Sequence, residues 1–161
     1  MDAAIGDTAL GMTVDAKMLY QRLVLDHSKN PTHEGMLEPR THEARGINPL
    51  CGDRVTIHVY VDETGRLVDI RFMAQGCAIA KASASMMSEL VKGGTTADAL
   101  ALHDEVERFL QPHGAGPEEG HPLASFANVR HFPSRIRCAT LAWETLRKAL
   151  ASHKVQRVAT D

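Results

Sequence analysis

The run Val55-Thr-Ile-His-Val-Tyr-Val-Asp62, the connection Glu63-Thr-Gly-Arg66 and the run Leu67-Val-Asp-Ile-Arg-Phe72 together decide the fold class. Val55, Ile57, Val59 and Val61 alternate with Thr56, His58, Tyr60 and Asp62. Past the connection, Val68, Ile70 and Phe72 alternate with Asp69 and Arg71. A period of two marks half-buried strands, and Gly65 supplies the positive φ that a tight hairpin connection needs. Matching the apolar residues across the turn pairs Ile57 with Ile70 or with Phe72. One apolar face per strand predicts an antiparallel sheet covered on one side by helices, with the polar face, His58 included, in solvent.

Outward from the hairpin the pattern turns helical. Asp15 is placed to cap a helix carrying Met18, Leu19, Leu23 and Val24, which stops near Asn30 because Pro31 disfavours helical geometry before it. Residues 31–49 are punctuated by Pro, Gly and Asn and predict loop, with one short edge strand around 41–45. After the hairpin, 78–92 reads as a helix with Ala82, Met86 and Leu90 a turn apart and Gly93 as its stop. A further helix over 96–110 places Leu100, Val106, Phe109 and Leu110 on its apolar side. The Gly/Pro-rich stretch 111–122 reads as surface loop of no assigned role, and a last helix begins near Arg137 or Cys138 and ends near Ser152. The expected fold is α+β: a small antiparallel sheet packed against several helices. The expected organisation is a loose tail over 1–14, a single domain over 15–152 and a tail over 153–161.

Composition narrows the function classes. The 161 residues carry 18 Lys+Arg against 20 Asp+Glu, a formal charge of −2, which speaks against general binding to nucleic acid or acidic membranes. No apolar run approaches the roughly 20 residues that span a bilayer. Met1–Thr13 has no basic segment followed by an apolar one, so no secretory signal and a cytoplasmic location are expected. Three cysteines, Cys51, Cys77 and Cys138, are an odd and scattered set, which excludes a disulfide framework.

Those cysteines are where the chemistry concentrates. Either hairpin register sets Cys51 beside Cys77 if the strands continue that far, and neighbouring strands lie about 4.8 Å apart. Asp53 is two residues from Cys51 and points to the same side in extended chain. Cys138 follows Arg130, His131, Arg135 and Arg137 and is placed at a helix start, where cationic neighbours and free amides favour thiolate. Three thiolates and a carboxylate can complete a tetrahedral zinc shell, while three core cysteines are the plain alternative. Cys51 resists that alternative, because Asn48-Pro-Leu-Cys-Gly-Asp53 offers it few apolar neighbours. His103, His113 and His121 have no ligand spacing and are expected at the surface. His131 is a weaker ligand candidate, seven residues from Cys138, and Trp143 and Met86-Met87 read as packing residues.

Four ordered motifs then carry a resemblance: Tyr20-Gln-Arg-Leu-Val-Leu-Asp-His-Ser-Lys-Asn-Pro31, Asn48-Pro-Leu-Cys-Gly-Asp53, Phe72-Met-Ala-Gln-Gly-Cys-Ala-Ile-Ala80 and Arg135-Ile-Arg-Cys-Ala-Thr-Leu-Ala-Trp143. Over roughly 15–152 the chain resembles the NifU/IscU-type iron–sulfur assembly family, and its SufU branch in particular. IscU proteins have a His immediately before the third cysteine, where this chain has Arg137, and a Leu-Pro-Pro-Val-Lys motif that Phe132-Pro-Ser-Arg-Ile does not reproduce.

The resemblance implies a SufE/NifU-like fold and a zinc-dependent sulfurtransferase of the SUF system. Cys51, Asp53, Cys77 and Cys138 would bind one Zn2+, Cys51 would accept persulfide sulfur and Arg135 would support the site electrostatically. The implied partner is a PLP-dependent, SufS-type cysteine desulfurase, with a SufBCD-type scaffold as a possible later recipient. Two alternatives share the same residues. One is a scaffold for a labile Fe–S cluster; the other is a non-catalytic, zinc-stabilised adaptor of the desulfurase.

Overall fold

The computed structural model describes residues 22–111, 116–117, 121, 123–124 and 126–152. Both expected tails, the beginning of the first helix with Met18 and Leu19, His113 and most of 111–122 lie outside the described residues. Residues 22–29 are helical (α1). Strands β1 (His42–Asn48), β2 (Asp53–Val61) and β3 (Leu67–Gln75) follow, then helices α2 (Ala78–Val91) and α3 (Thr96–Phe109), a 3-10 turn over Phe126–His131, and α4 (Pro133–Ala151). The sheet is antiparallel in the order β1-β2-β3, so the α+β expectation holds.

The hairpin adopts the register that faces Ile57 with Phe72 and Val59 with Ile70. Near the turn the pairing shifts between Tyr60 and Val61, so that Val61 faces Leu67. That irregularity corrects one expectation: Leu67 is fully buried, whereas Val68 is 43% exposed. Gly65 takes φ 86°, as the turn requires. The edge strand is longer than 41–45, running to Asn48, and thereby leads straight into the Cys51 turn.

The core lies between the inner sheet face and the helices. Ile57, Val59, Ile70 and Phe72 meet Ala82, Met87, Trp143 and Leu146 there, all essentially without exposure. Helix α2 is buried over most of its circumference, which its Ala/Ser-rich sequence permits because small side chains let the neighbouring elements close in. In α3 the inward stripe is Ala99, His103, Val106 and Leu110, spaced by four, three and four residues. Leu100 is instead 37% exposed, and His103, expected at the surface, is 5% exposed with Nδ1 3.0 Å from Asp104 Oδ1. Leu123, Phe126 and Val129 of the turn before α4 also enter the core.

The outer sheet face is not bare. Residues 33–35 pair along the free edge of β3, Gly35 N–H donating to Phe72 O and Phe72 N–H to His33 O, and the segment then reaches over the face at Leu37. His58 is therefore 3% exposed rather than solvated, with Nδ1 accepting the Leu37 N–H at 3.2 Å. The preceding turn is clasped to α2, where Ser85 Oγ meets His27 Nδ1 at 2.7 Å and accepts Thr32 N–H at 2.8 Å. Ser85 has no exposure, which makes the cluster a clasp and not a nucleophile.

Candidate metal centre

Two junctions and a helix converge at one end of the sheet. The β1–β2 turn carries Cys51, the first residue of β2 is Asp53, the β3–α2 junction carries Cys77, and α4 carries Cys138. Asn48 faces Asp53 as the last pair of the β1–β2 ladder, and the Asn48 carbonyl accepts the N–H groups of Cys51 at 3.2 Å and Gly52 at 2.7 Å. Asp53 continues the inward face of Val55 and Ile57 and is 1% exposed.

Cys77 is the N-cap of α2, its sulfur accepting the Ala80 N–H at 3.4 Å. Its own N–H donates to Asp53 Oδ1 at 3.0 Å, and its sulfur lies 3.8 Å from Asp53 Oδ2. Gly76 makes this approach possible. It has φ 136°, and a Cβ there would collide with Asp53 Oδ1 and stand 2.9 Å from Asp53 Cα.

Cys138 does not start its helix. Pro133 does, because its fixed φ and missing N–H suit the first helical turn. The amides at the helix start therefore do not face Cys138, and the helix-start place falls to Cys77. Cys138 has no exposure, and its burial, with the adjacent Asp53 carboxylate and the Cys77 and Cys51 sulfurs, pushes its thiol well above the usual range.

Cys138 Sγ is 3.7 Å from Cys51 Sγ. Ligand atoms of Cys51, Asp53 and Cys138 all lie within 4.8 Å of one another; Cys77 stands outside that trio and touches it at Asp53. Two thiolates on one tetrahedral zinc, each at about 2.3 Å, stand roughly 3.8 Å apart, so the observed sulfur spacing fits such an ion. Sulfur and carboxylate donors are also a zinc-type set. Among the four, Cys51 is exposed, Cys77 intermediate, and Cys138 and Asp53 buried.

Other candidates stand apart. Arg135 is exposed in the first turn of α4, and its guanidinium has no partner among the described residues. His131 is exposed in the 3-10 turn, and His121 is half-buried against Glu105 and the Phe109 ring. Sequence reading missed Asn48 and Gly76. Both flank the motif cysteines, yet their roles depend on which atoms come near.

The model for the NifU-like N terminal domain matches residues 19–160. The chain belongs to the NifU-like N terminal domain family. Relatives of this NifU-like chain include the iron-sulfur cluster assembly scaffold protein IscU of Streptococcus pyogenes serotype M1. It is 39% identical over 133 residues, 82% of this chain and 82% of that protein. The zinc-dependent sulfurtransferase SufU of Bacillus subtilis strain 168 is 35% identical over 140 residues, covering 84% and 92%. A crystal structure of FiSufU from Fervidobacterium islandicum AW-1 matches with TM-score 0.74 and 32% identity. It covers 83% of this chain and 97% of that one. No helix among the described residues of this NifU-like protein is long and apolar enough to cross a membrane.

Proposed function

We propose that this NifU-like protein is a zinc-dependent sulfur acceptor for a PLP-dependent cysteine desulfurase, with Cys51, Asp53, Cys77 and Cys138 holding the ion. The observation that carries the reading is the unequal exposure of a converged set: Cys51, Asp53 and Cys138 meet, Cys77 reaches the same carboxylate, and Cys51 is the exposed sulfur. Bound zinc supplies ligand deprotonation and fixed geometry, and it has no redox chemistry.

Cys51 is the nucleophile. Its thiolate attacks the sulfane sulfur of a persulfide on the desulfurase; a new S–S bond forms on Cys51, and the donor cysteine leaves as thiolate. The transfer is redox-neutral, and the sulfur then passes to a thiol acceptor such as a SufBCD-type scaffold. Asp53, Cys77 and Cys138 would retain the ion while Cys51 reacts, and the Cys77 N–H holds the Asp53 carboxylate in place. Arg135, exposed a turn before Cys138, faces the partner and supports the anionic sulfur electrostatically.

The test is Cys51→Ala. The variant is expected to fold and to lose stimulation of the desulfurase altogether; undiminished turnover would sink the acceptor role and leave an adaptor. A labile Fe–S scaffold is the second reading, favoured by the name of the 39%-identical relative. Zinc, iron and acid-labile sulfide counted per chain after anaerobic challenge with ferrous iron and sulfide separate the two. About one zinc that resists displacement supports sulfur transfer, and equal iron and sulfide replacing zinc supports the scaffold.

A further inference from the structure

Asn48 ends β1 and is 4% exposed, facing Asp53 across the ladder on the same inward side. Its main-chain carbonyl accepts from Cys51 and Gly52, and its side-chain Oδ1 accepts the Leu50 N–H at 3.3 Å. These three bonds close the turn that presents Cys51. The Oδ1 bond also fixes which way the side-chain amide faces, since flipping it would set two N–H donors against each other.

Nδ2 is consequently turned away from the turn. It is enclosed and has no hydrogen-bond partner among the described residues. An enclosed donor without an acceptor is destabilising and rare, so its retention calls for a ligand or a role. Around it stand the elements of the metal centre. Asp53 is opposite, Cys51 is three residues on, and Asn48 shares a small cavity of about 90 Å³ with Ile47 and with Arg137, Thr140, Leu141 and Glu144 of α4, the stretch of helix that follows and flanks Cys138. The Cys51 and Cys138 sulfurs stand 3.7 Å apart. Coordination turns such thiols into thiolates, which accept hydrogen bonds, and donors behind a metal's ligands orient and hold them.

We infer that Asn48 is a positioning residue of the metal centre: Oδ1 and the main-chain carbonyl hold the Cys51 turn, and Nδ2 donates to a thiolate sulfur or to the Asp53 carboxylate when metal is bound. The inference rests on the proposed metal site. It adds a division of labour within one side chain. The bonds that hold the turn do not involve the metal, so Cys51 stays presented when its sulfur is engaged elsewhere, while the Nδ2 bond steadies the ligands that remain.

The test uses the full chain, with zinc and with cobalt(II) as its spectroscopic stand-in. In the unaltered protein, the Asn48 side-chain amide protons are expected to separate in NMR frequency and to exchange more slowly once zinc is added. Asn48→Asp keeps an oxygen for Leu50 N–H but removes the donor, and is expected to shift the thiolate-to-cobalt charge-transfer bands. Asn48→Ala removes both functions and should surrender zinc to a chelator on the order of 10–100-fold more readily. In metal-free form it should also alkylate faster at Cys51 than Asn48→Asp does. Asn48 amide signals that ignore zinc, or an Asn48→Asp cobalt spectrum identical to the unaltered protein's, overturn this assignment while leaving the metal site standing. A chain that takes up neither metal overturns both.

Discussion

Gly76 shows how a residue without a side chain shapes the site. Its φ of 136° is a region that L side chains rarely adopt, and the space where a Cβ would stand is filled by Asp53. Gly76→Ala is expected to displace the Asp53 carboxylate and to weaken zinc retention by about tenfold or more, as losses near a metal shell do, measured by chelator competition. At His58 the issue is a proton. Burial first, then the Arg40 charge, holds its pKa below the ordinary 6.5, and His33 is lowered by burial and Lys92. The folded state thus resists protonation more than the unfolded chain does. The stabilising contribution is whole above the unfolded value and is lost as pH falls through the folded one. Denaturant midpoints taken from neutral pH down to about pH 5 should fall less steeply in His58→Gln than in the unaltered protein. Identical slopes would mean that His58 is accessible to water.

Among the elements, β1 and α4 meet closely at Gly46. A Cβ on Gly46 would collide with Thr145 Oγ1 and lie 3.1 Å from Leu141 Cδ1. Gly46→Ala is expected to cost about 1–3 kcal/mol by overpacking, read as a lowered Tm. Thr145→Ala in the same chain should return part of that loss, since it removes the colliding hydroxyl, and strict additivity of the two changes would show that they do not touch. Element ends were less legible than element cores. The last helix begins at Pro133, a turn before the periodic apolar residues of α4, because Pro is favoured in a first turn and nothing apolar marks it. The stripe on α3 was obscured by His103, a polar residue occupying an apolar place.

On the scale of the molecule, the proposed ion would tie together the β1–β2 turn, the β3–α2 junction and α4, which are far apart in sequence. Binding to the folded chain alone raises stability by mass action, about 2.7 kcal/mol when free ligand is a hundred times its Kd. Zinc-loaded protein should melt higher than chelator-treated protein, and the difference should grow with free zinc. Equal melting temperatures would remove these residues from the role of ligands.

Some of this belongs to the sequence alone. The alternating run from Val55 to Phe72 specified two strands and narrowed their register to two, of which the structure takes the one facing Ile57 with Phe72, and the inward side chains away from the turn follow from a period of two. The motifs around Cys51, Cys77 and Cys138 specified the family and marked the candidate ligands, since residue type and short spacing are local properties. Tertiary structure decided the rest. Only the packed chain lays segment 31–41 over His58, turns Leu67 inward in place of Val68, seats Cys77 at a helix start and buries Cys138 while exposing Cys51. Each of these depends on which distant segment lies against a residue, and contact between segments tens of residues apart is set by how the whole core closes, not by the pattern within either one.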